Sequence, residues 1–301
     1  MDRLQAMKVL VDVADAGSLS ATARRMGLPL ATLSRRVAEL EAHLGVRLFN
    51  RTSRRLELSE AGRSYLPAAR RILEDVAEAE RTARGEYTSP RGDLILAAPL
   101  VFGRLHVLPI VIGFLADFPQ IDVRLVLNDR NANLAEDHID LAVRIGELPD
   151  SGLVAAKVGE ISHIVCASPD YLARRSRPRT PAELDRHDCV VFESPVPPAS
   201  WNFGTGRSEM AAPIRPRLSV NTAEAAIDAA VAGVGLTRVL AYQAASALAE
   251  GRLEIVLGAF QPLPAPVSLV HPGGRLLPRK VRAFLEVAAP RLRAAIAALP
   301  A

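Results

Sequence analysis

Apolar residues in the first sixty positions recur with a helical period. Leu4, Met7, Val11 and Ala14 share one face, which predicts a first helix over residues 3–16, ended by Gly17. Ser20 stands where its hydroxyl can cap a second helix, Ala21–Met26. Gly27 suits a left-handed turn position, and Pro29 suits the first turn of a third helix, where no N–H is needed. Leu33, Val37, Leu40 and Leu44 then fall on one face, while Ala31, Thr32, Arg35, Ala38 and Glu39 fall on the other, with Arg36 at the edge. Ala23 is small and Leu33 aliphatic, as two helices crossing steeply through a tight turn require. The exposed N-terminal half of the third helix is thus fit to enter a DNA major groove. After Gly45, residues 48–51 and 55–58 read as two short strands around Thr52-Ser53-Arg54, forming a wing.

A long helix follows over residues 59–86. Tyr65, Ala69, Ile72, Val76, Ala79 and Ala83 form a narrow apolar seam on it. Such a seam suits pairing between two chains, and packing against the chain's own domain is the alternative. Pro67 lies inside this helix and lacks an N–H, so a kink near Arg63 is expected. The stretch from Gly85 to Gly92, with Pro90 inside it, is the best domain boundary.

Beyond it, strand-like and helix-like segments alternate. Strands are expected at 94–98, 121–127, 140–145, 161–167 and 189–192, with a helical stretch at 105–118. The alternation argues for α/β subdomains with parallel strands, whose ligands bind outside the strand C-terminal ends.

Composition and charge sharpen this picture. The 301 residues favour at least two domains. The net charge of +4 is uninformative by itself, but its distribution is not. Arginines 24, 25, 35, 36, 47, 51, 54 and 55 face only Glu39 and Glu41 in that span, which makes a plausible phosphate-binding surface. A solvated arginine face on a protein-binding helical domain is the competing reading. The charged N-terminus does not look like a signal peptide, and no run of about 18 uncharged apolar residues is evident. A cytoplasmic protein without a membrane partner is expected. Two cysteines, Cys166 and Cys189, are too few for a disulfide framework, and Cys166 reads as an inert buried thiol. The histidines show no metal-ligand spacing, Gly233-Val-Gly235 lacks the third glycine of a dinucleotide loop, and no nucleophile motif occurs. No enzyme, cofactor or metal is expected.

The segment from Ala6 to Gly62 resembles the N-terminal domain of LysR-type transcriptional regulators. Ser34, Leu40-Glu41, Leu44-Gly45, Leu48-Phe49, Arg51 and Leu58-Ser59-Glu60-Ala61-Gly62 carry the likeness. The segments from Asp93 to Asp129, Ile139 to Ala155 and Val165 to Arg175 resemble the family's effector domain, in its CrgA-like branch. So do His187 to Phe192, Asn221 to Leu240 and Leu277 to Glu286.

The resemblance implies an α/β chain with an α-rich winged helix-turn-helix (residues 1–58). A linker and dimerisation helix with a hinge (59–91) would follow, then a two-lobed, Rossmann-like effector domain (92–301) arranged as in periplasmic solute-binding proteins. Lobe I would span 92–161 plus 266–301, and lobe II 162–265. Residues Ser20, Pro29, Leu30, Ala31, Thr32, Ser34, Arg35, Arg36, Arg51, Arg54 and Arg55 would then contact double-stranded DNA at an inverted repeat. Pro99, Leu100, Val101, Phe102, Arg144, Gly146, Asn221 and Thr222 would contact a small-molecule effector in the cleft. A homodimer through the linker helix, assembling to a homotetramer, is implied, with RNA polymerase a further candidate partner.

Two positions depart from the family. Many members carry glutamine where this chain has Leu30, so apolar contact with a thymine methyl, or no contact, is expected there. Where the family often has serine, Val101 stands; this shifts the expectation toward a less polar effector or one held by backbone N–H groups. A small-molecule binding protein, or an α/β enzyme with a helical interaction domain, is the alternative function.

Overall fold

The computed structural model describes residues 2–51, 56–83, 89–130, 133–134, 136–149, 152–192, 199–273 and 277–299, with backbone alone at 51, 78, 82, 83 and 207. The chain divides into two compact units, Met1–Gly92 and Asp93–Ala301.

In the first unit, helices α1 (Arg3–Ala16), α2 (Leu19–Met26) and α3 (Leu30–Leu44) precede a hairpin of β1 (Phe49–Arg51) and β2 (Leu56–Leu58), then α4 (Glu60–Ala83). Gly17, Gly27 and Gly45 close the first three helices at φ 61, 64 and 70, in the left-handed region. The cap of α2 is Ser18, not Ser20. Ser18 is extended and its hydroxyl accepts the Ala21 N–H at 3.3 Å, so the helix starts two residues before the expected point. Both serines fit the pattern, but only Ser18 lets Leu19 join the core.

That core brings together Val9, Leu10 and Val13, Ala23, Leu33, Val37 and Leu40, and Leu48 with Phe49. Each large aliphatic buried there contributes about 1.5–3 kcal/mol. The Glu41 carboxylate accepts the N–H groups of Leu48 (2.8 Å) and Phe49 (3.2 Å), which fixes the wing to α3. Tyr65, Leu66 and Ala69 of α4 pack on the same core, and Arg70 pairs with Asp15 of α1. The N-terminal half of the apolar seam is therefore used within the chain, whereas Ile72 is exposed.

The second unit holds two five-stranded sheets. Its elements run β3 (Gly92–Ala98), α5 (Leu100–Phe102), a π-helical turn (Gly103–Val107), α6 (Leu108–Asp117), β4 (Ile121–Leu127), β5 (Leu141–Ile145) and β6 (Leu153–Ile161). Then follow β7 (His163–Ala167), α7 (Pro169–Arg175), β8 (Asp188–Phe192), β9 (Ser200–Phe203), β10 (Met210–Pro213), β11 (Arg215–Val220), α8 (Ala223–Val231), β12 (Leu236–Leu240), α9 (Ala241–Ala249) and β13 (Glu254–Val256). Strand β14 (Ala265–Pro272) and helix α10 (Arg279–Ala297) return to the first lobe.

Lobe I orders its strands β4-β3-β5-β14-β6, and lobe II β11-β8-β12-β7-β13. The sheets are mixed, not parallel as expected. β14 runs antiparallel to β5 and β6 because it re-enters from lobe II, and β12 and β13 run antiparallel to β7. The expected strand 161–167 is two strands, broken at Ser162, where the chain crosses between lobes. The stretch Leu100–Asp117 is long and apolar enough to cross a membrane by length and composition, although it carries Arg104 and Asp117 and so is not an uncharged run. Its Val101, Phe102, Val107, Ile110, Val111 and Phe114 are buried in the lobe I core, as in a core helix.

Candidate DNA-reading face and effector cleft

Helix α3 buries Leu33, Val37 and Leu40, so its opposite face is turned outward. Leu30 is 47% exposed, Ala31 and Arg35 are exposed, and Thr32, Ser34 and Arg36 are half-buried. Among the described residues Arg35 pairs with Glu39 alone, at a long 3.8 Å, which leaves its guanidinium available. Ser20, Arg24, Gly27, Pro29 and Leu30 border a shallow concavity between α2 and α3. Arg25 is committed elsewhere: it bonds the Asp12 carboxylate and carbonyl, both at 3.1 Å, tying α2 to α1. The buried Thr22 hydroxyl adds bonds to the Ser18 and Asp12 carbonyls. The reading helix is thus mounted on a stiff pair. Of the wing residues, Arg51 is described by its backbone alone, and Arg54 and Arg55 lie outside the described residues.

In the second unit, a cavity of about 630 Å³ opens where β3, β4 and β5 end and lobe II approaches. Pro99, Arg144 and Gly146 stand on its wall. Gly146 has φ 112, a conformation open to glycine, and its N–H donates to the Pro266 carbonyl at 2.9 Å. The other expected contacts are not on the wall. Val101 and Phe102 are 3% and 0% exposed, because α5 starts directly after Pro99 and turns both into the lobe I core. The Leu100 side chain packs against that core, and its N–H donates to Asp129 Oδ1 at 3.0 Å. Asn221 is exposed and does not line the cavity, and the Thr222 hydroxyl caps α8 by accepting the Ala225 N–H.

Several wall residues have no counterpart among the sequence expectations: Arg124, Asp129, His163, Tyr242 and Gln243. Burial raises the Asp129 carboxyl above the usual range, against the Leu100 N–H, and the neighbouring Glu224 adds to the rise. Burial and the Arg238 charge push His163 down to about 4, so its ring is neutral at pH 7. Burial raises the Tyr242 hydroxyl strongly. The Tyr242 ring meets Phe102 edge-on at 5.6 Å and His106 at 5.8 Å. Tyr242 comes from lobe II and Phe102 from lobe I, so this aromatic contact joins the lobes beside the cavity. An aspartate two residues past a strand end, as Asp129 is past β4, was the available signal in the sequence. The cavity has the size of a small-molecule site, and its wall offers arginine cations, a carboxylate and neutral hydrogen-bonding groups.

Cys166 and Cys189 lie in β7 and β8, with β12 between them. Cys166 packs with Ile164, Ile227 and Val239 on one face of the sheet, and Cys189 with Val165, Ala167 and Leu236 on the other. Burial pushes both thiols up to about 12. Strands two apart are separated by about 9–10 Å, beyond the roughly 7 Å limit for a disulfide.

A helix-turn-helix with an outward reading helix and a hairpin beside it, together with a two-lobed α/β unit around a cavity, defines a ligand-responsive DNA-binding regulator. Known proteins agree. Residues 4–63 match the family described as bacterial regulatory helix-turn-helix protein, lysR family, and residues 88–293 match the LysR substrate binding domain. An HTH-type transcriptional repressor of Pseudomonas aeruginosa is 35% identical over 95% of this chain and 91% of its own length. The HTH-type transcriptional regulator CrgA of Neisseria meningitidis is 33% identical over 93% of this chain and 94% of its own. The solved structure of CrgA, a LysR-type transcriptional regulator, superposes with a TM-score of 0.60 at 30% identity, covering 96% of this chain and 98% of that one. The full-length structure of AphB, a virulence activator of Vibrio cholerae, superposes at 0.59 with 26% identity, covering 95% and 98%. The chain belongs to the LysR family of transcriptional regulators, with a helix-turn-helix DNA-binding domain and a substrate-binding domain.

Proposed function

We propose that α3 reads operator bases through Leu30, Ala31, Thr32, Ser34, Arg35 and Arg36. Ser20 and Pro29 would lie against the groove edge, and the wing arginines 51, 54 and 55 would bind flanking phosphates. The observation that carries this reading is the outward face of α3, where Leu30, Ala31 and Arg35 are exposed while the opposite face fills the core. Leu30 would contact a thymine methyl in place of an amide contact to adenine.

A small molecule would occupy the 630 Å³ cavity against Pro99, Arg124, Asp129, Arg144 and Gly146. Its binding would change the arrangement of lobes or subunits, and thereby how the half-sites of an inverted repeat are held. The chain would act in the cytoplasm as a regulator rather than an enzyme. It would pair as a homodimer through the distal half of α4 around Ile72 and Val76, assemble to a tetramer, and present itself to RNA polymerase.

The test is a gel shift of the full chain on the promoter region beside its own gene and on operators selected from random duplexes. A salt-sensitive, sequence-preferring shift that Arg35→Ala weakens is expected. No such shift on any selected duplex overturns the reading.

A further inference from the structure

The cavity wall carries both signs of charge, held apart from each other. Asp129 is half-buried on that wall, two residues past β4. Its Oδ1 accepts the Leu100 N–H at 3.0 Å, and among the described residues its carboxylate makes no ion pair. The influences on it are burial, that N–H and a second carboxylate, Glu224 in the first turn of α8, with no arginine among them. Glu224 pairs with Arg104 at a long 3.8 Å. Tyr242, buried on the lobe II side, stands close to both carboxylates. Its hydroxyl makes no hydrogen bond among the described residues, although the Gln243 side chain and the Phe102 backbone lie near it.

The positive charge comes from neighbouring strands. Arg144 is half-buried near the end of β5, and Arg124 lies exposed on β4, with no ion pair or hydrogen bond among the described residues. β3 lies between β4 and β5, so the strand ends that carry Asp129 and Arg144 are about 9–10 Å apart. Asp129 and these arginines therefore face one cavity without neutralising each other. A half-buried carboxylate with no counter-ion costs free energy that a cation placed against it returns.

The chemistry of the wall selects its ligand. A simple carboxylate would pair with an arginine but leave Asp129 without a counter-ion and bring further negative charge beside it. A simple amine would meet Asp129 and leave the arginines unused. Val101, buried in the lobe I core, has no bearing on this polarity. We propose that the effector is a small zwitterion of the amino-acid type. Its ammonium group would rest on Asp129 beside Tyr242, and its carboxylate on the wall arginines, Arg144 foremost. This rests on the cavity reading above. Asp129 belongs to lobe I, and Glu224 and Tyr242 to lobe II, so the ammonium group would also relieve a repulsion across the cleft and favour its closure.

The test is calorimetric titration of the full chain with matched sets of compounds: α-amino acids, short ω-amino acids, and for each the carboxylate without its amine and the amine without its carboxylate. At least one zwitterion should bind, and both of its truncated partners should bind at least about tenfold more weakly. Whether an α- or an ω-amino acid binds then reports the separation of the two charges. Asp129→Asn keeps the oxygen that accepts the Leu100 N–H and removes the charge. It should weaken the zwitterion by about ten- to hundredfold while the amine-free carboxylate binds as well as before or better. A merely structural role for Asp129 would weaken both alike. Arg144→Gln should do the converse, weakening the zwitterion and the carboxylate but sparing the amine. Amine-free carboxylates or neutral molecules that bind better than every zwitterion overturn the proposal and leave the cavity reading standing. So does an Asp129→Asn chain that binds the zwitterion as the wild type does. No binding by any zwitterion also overturns it, and if a panel of anionic and neutral metabolites fails as well, the cavity reading fails with it.

Discussion

Gly62, near the start of α4, lies directly against the backbone of the wing. A Cβ built there stands 2.0 Å from the Leu48 carbonyl oxygen and 3.0 Å from a Leu58 methyl. Ordinary carbon–oxygen contacts begin near about 3.3 Å, so in Gly62→Ala the wing or the helix start must move by more than about 1 Å. The carbonyl cannot yield easily. It accepts the Ser59 N–H at 2.9 Å, and the Ser59 hydroxyl in turn donates to the Arg47 carbonyl and accepts the Gly62 N–H. Overpacking costs about 1–3 kcal/mol, and loss of one of these bonds costs about 1 kcal/mol. Replacing a helical glycine by alanine returns about 1 kcal/mol. The net loss is about 2 kcal/mol, confined to the first unit. Hydrogen exchange of the full chain reads this directly. Amides of α1 and α3 should exchange about 30-fold faster, while those of the second unit serve as an unchanged control. Exchange in α1 and α3 within threefold of the wild type would refute the packing argument.

Other predictions follow from single residues. Leu30→Gln should shift operator selection from thymine toward adenine at one position of each half-site, and thymine-to-deoxyuracil substitution there should weaken the wild type but not the variant. Ile72→Glu should dissociate the dimer in analytical ultracentrifugation while leaving the helical content of each chain intact; an unchanged sedimentation coefficient would rule out pairing through this seam. His163 is held near pKa 4 when folded, against about 6.5 when unfolded. The unfolded chain therefore takes up a proton that the folded one refuses, and stability falls by up to about 2–3 kcal/mol between pH 6.5 and 4. His163→Gln should flatten that part of the melting profile of the second unit, and an unaltered slope would contradict the assignment. Peroxide should produce no Cys166–Cys189 disulfide on mass spectrometry, since β12 separates the two thiols.

Much of the first unit was legible because its helices are short, amphipathic and punctuated by glycine. The reading helix needs only Leu33, Val37 and Leu40 on one side for its other face to be known. Ser18 and Ser20 were indistinguishable as caps, because either hydroxyl precedes an apolar run. In the second unit, β4 was found with its boundaries intact, yet β6 was missed. Val154 to Lys157 are exposed in succession, so no alternation marks the strand. Strand direction was misread because local pattern does not show that β14 re-enters the sheet from another lobe. The cavity wall was the least legible part. Arg124 and Asp129 stand on lobe I, far along the sequence from His163 and Tyr242 on lobe II, and their meeting depends on the two connections between the lobes. Val101 and Phe102 were placed on that wall by resemblance, but helical rotation after Pro99 turned them inward.

The register partners Ile161 and Ala265 carry a consequence for the evolution and motion of the second unit. Everything between them is lobe II, so that lobe is an excursion spliced into the tip of a single hairpin of lobe I. Lobe I keeps its full five-stranded sheet on either side of the splice. A short turn joining Ile161 to Ala265 would leave a self-contained domain, and the same junction would have accepted the insertion in the first place. Both connections leave from adjacent strand ends, which favours rotation about one axis over free tumbling. An opening of the lobes about that axis would widen the gap between Asp129 and Tyr242 on the cavity wall.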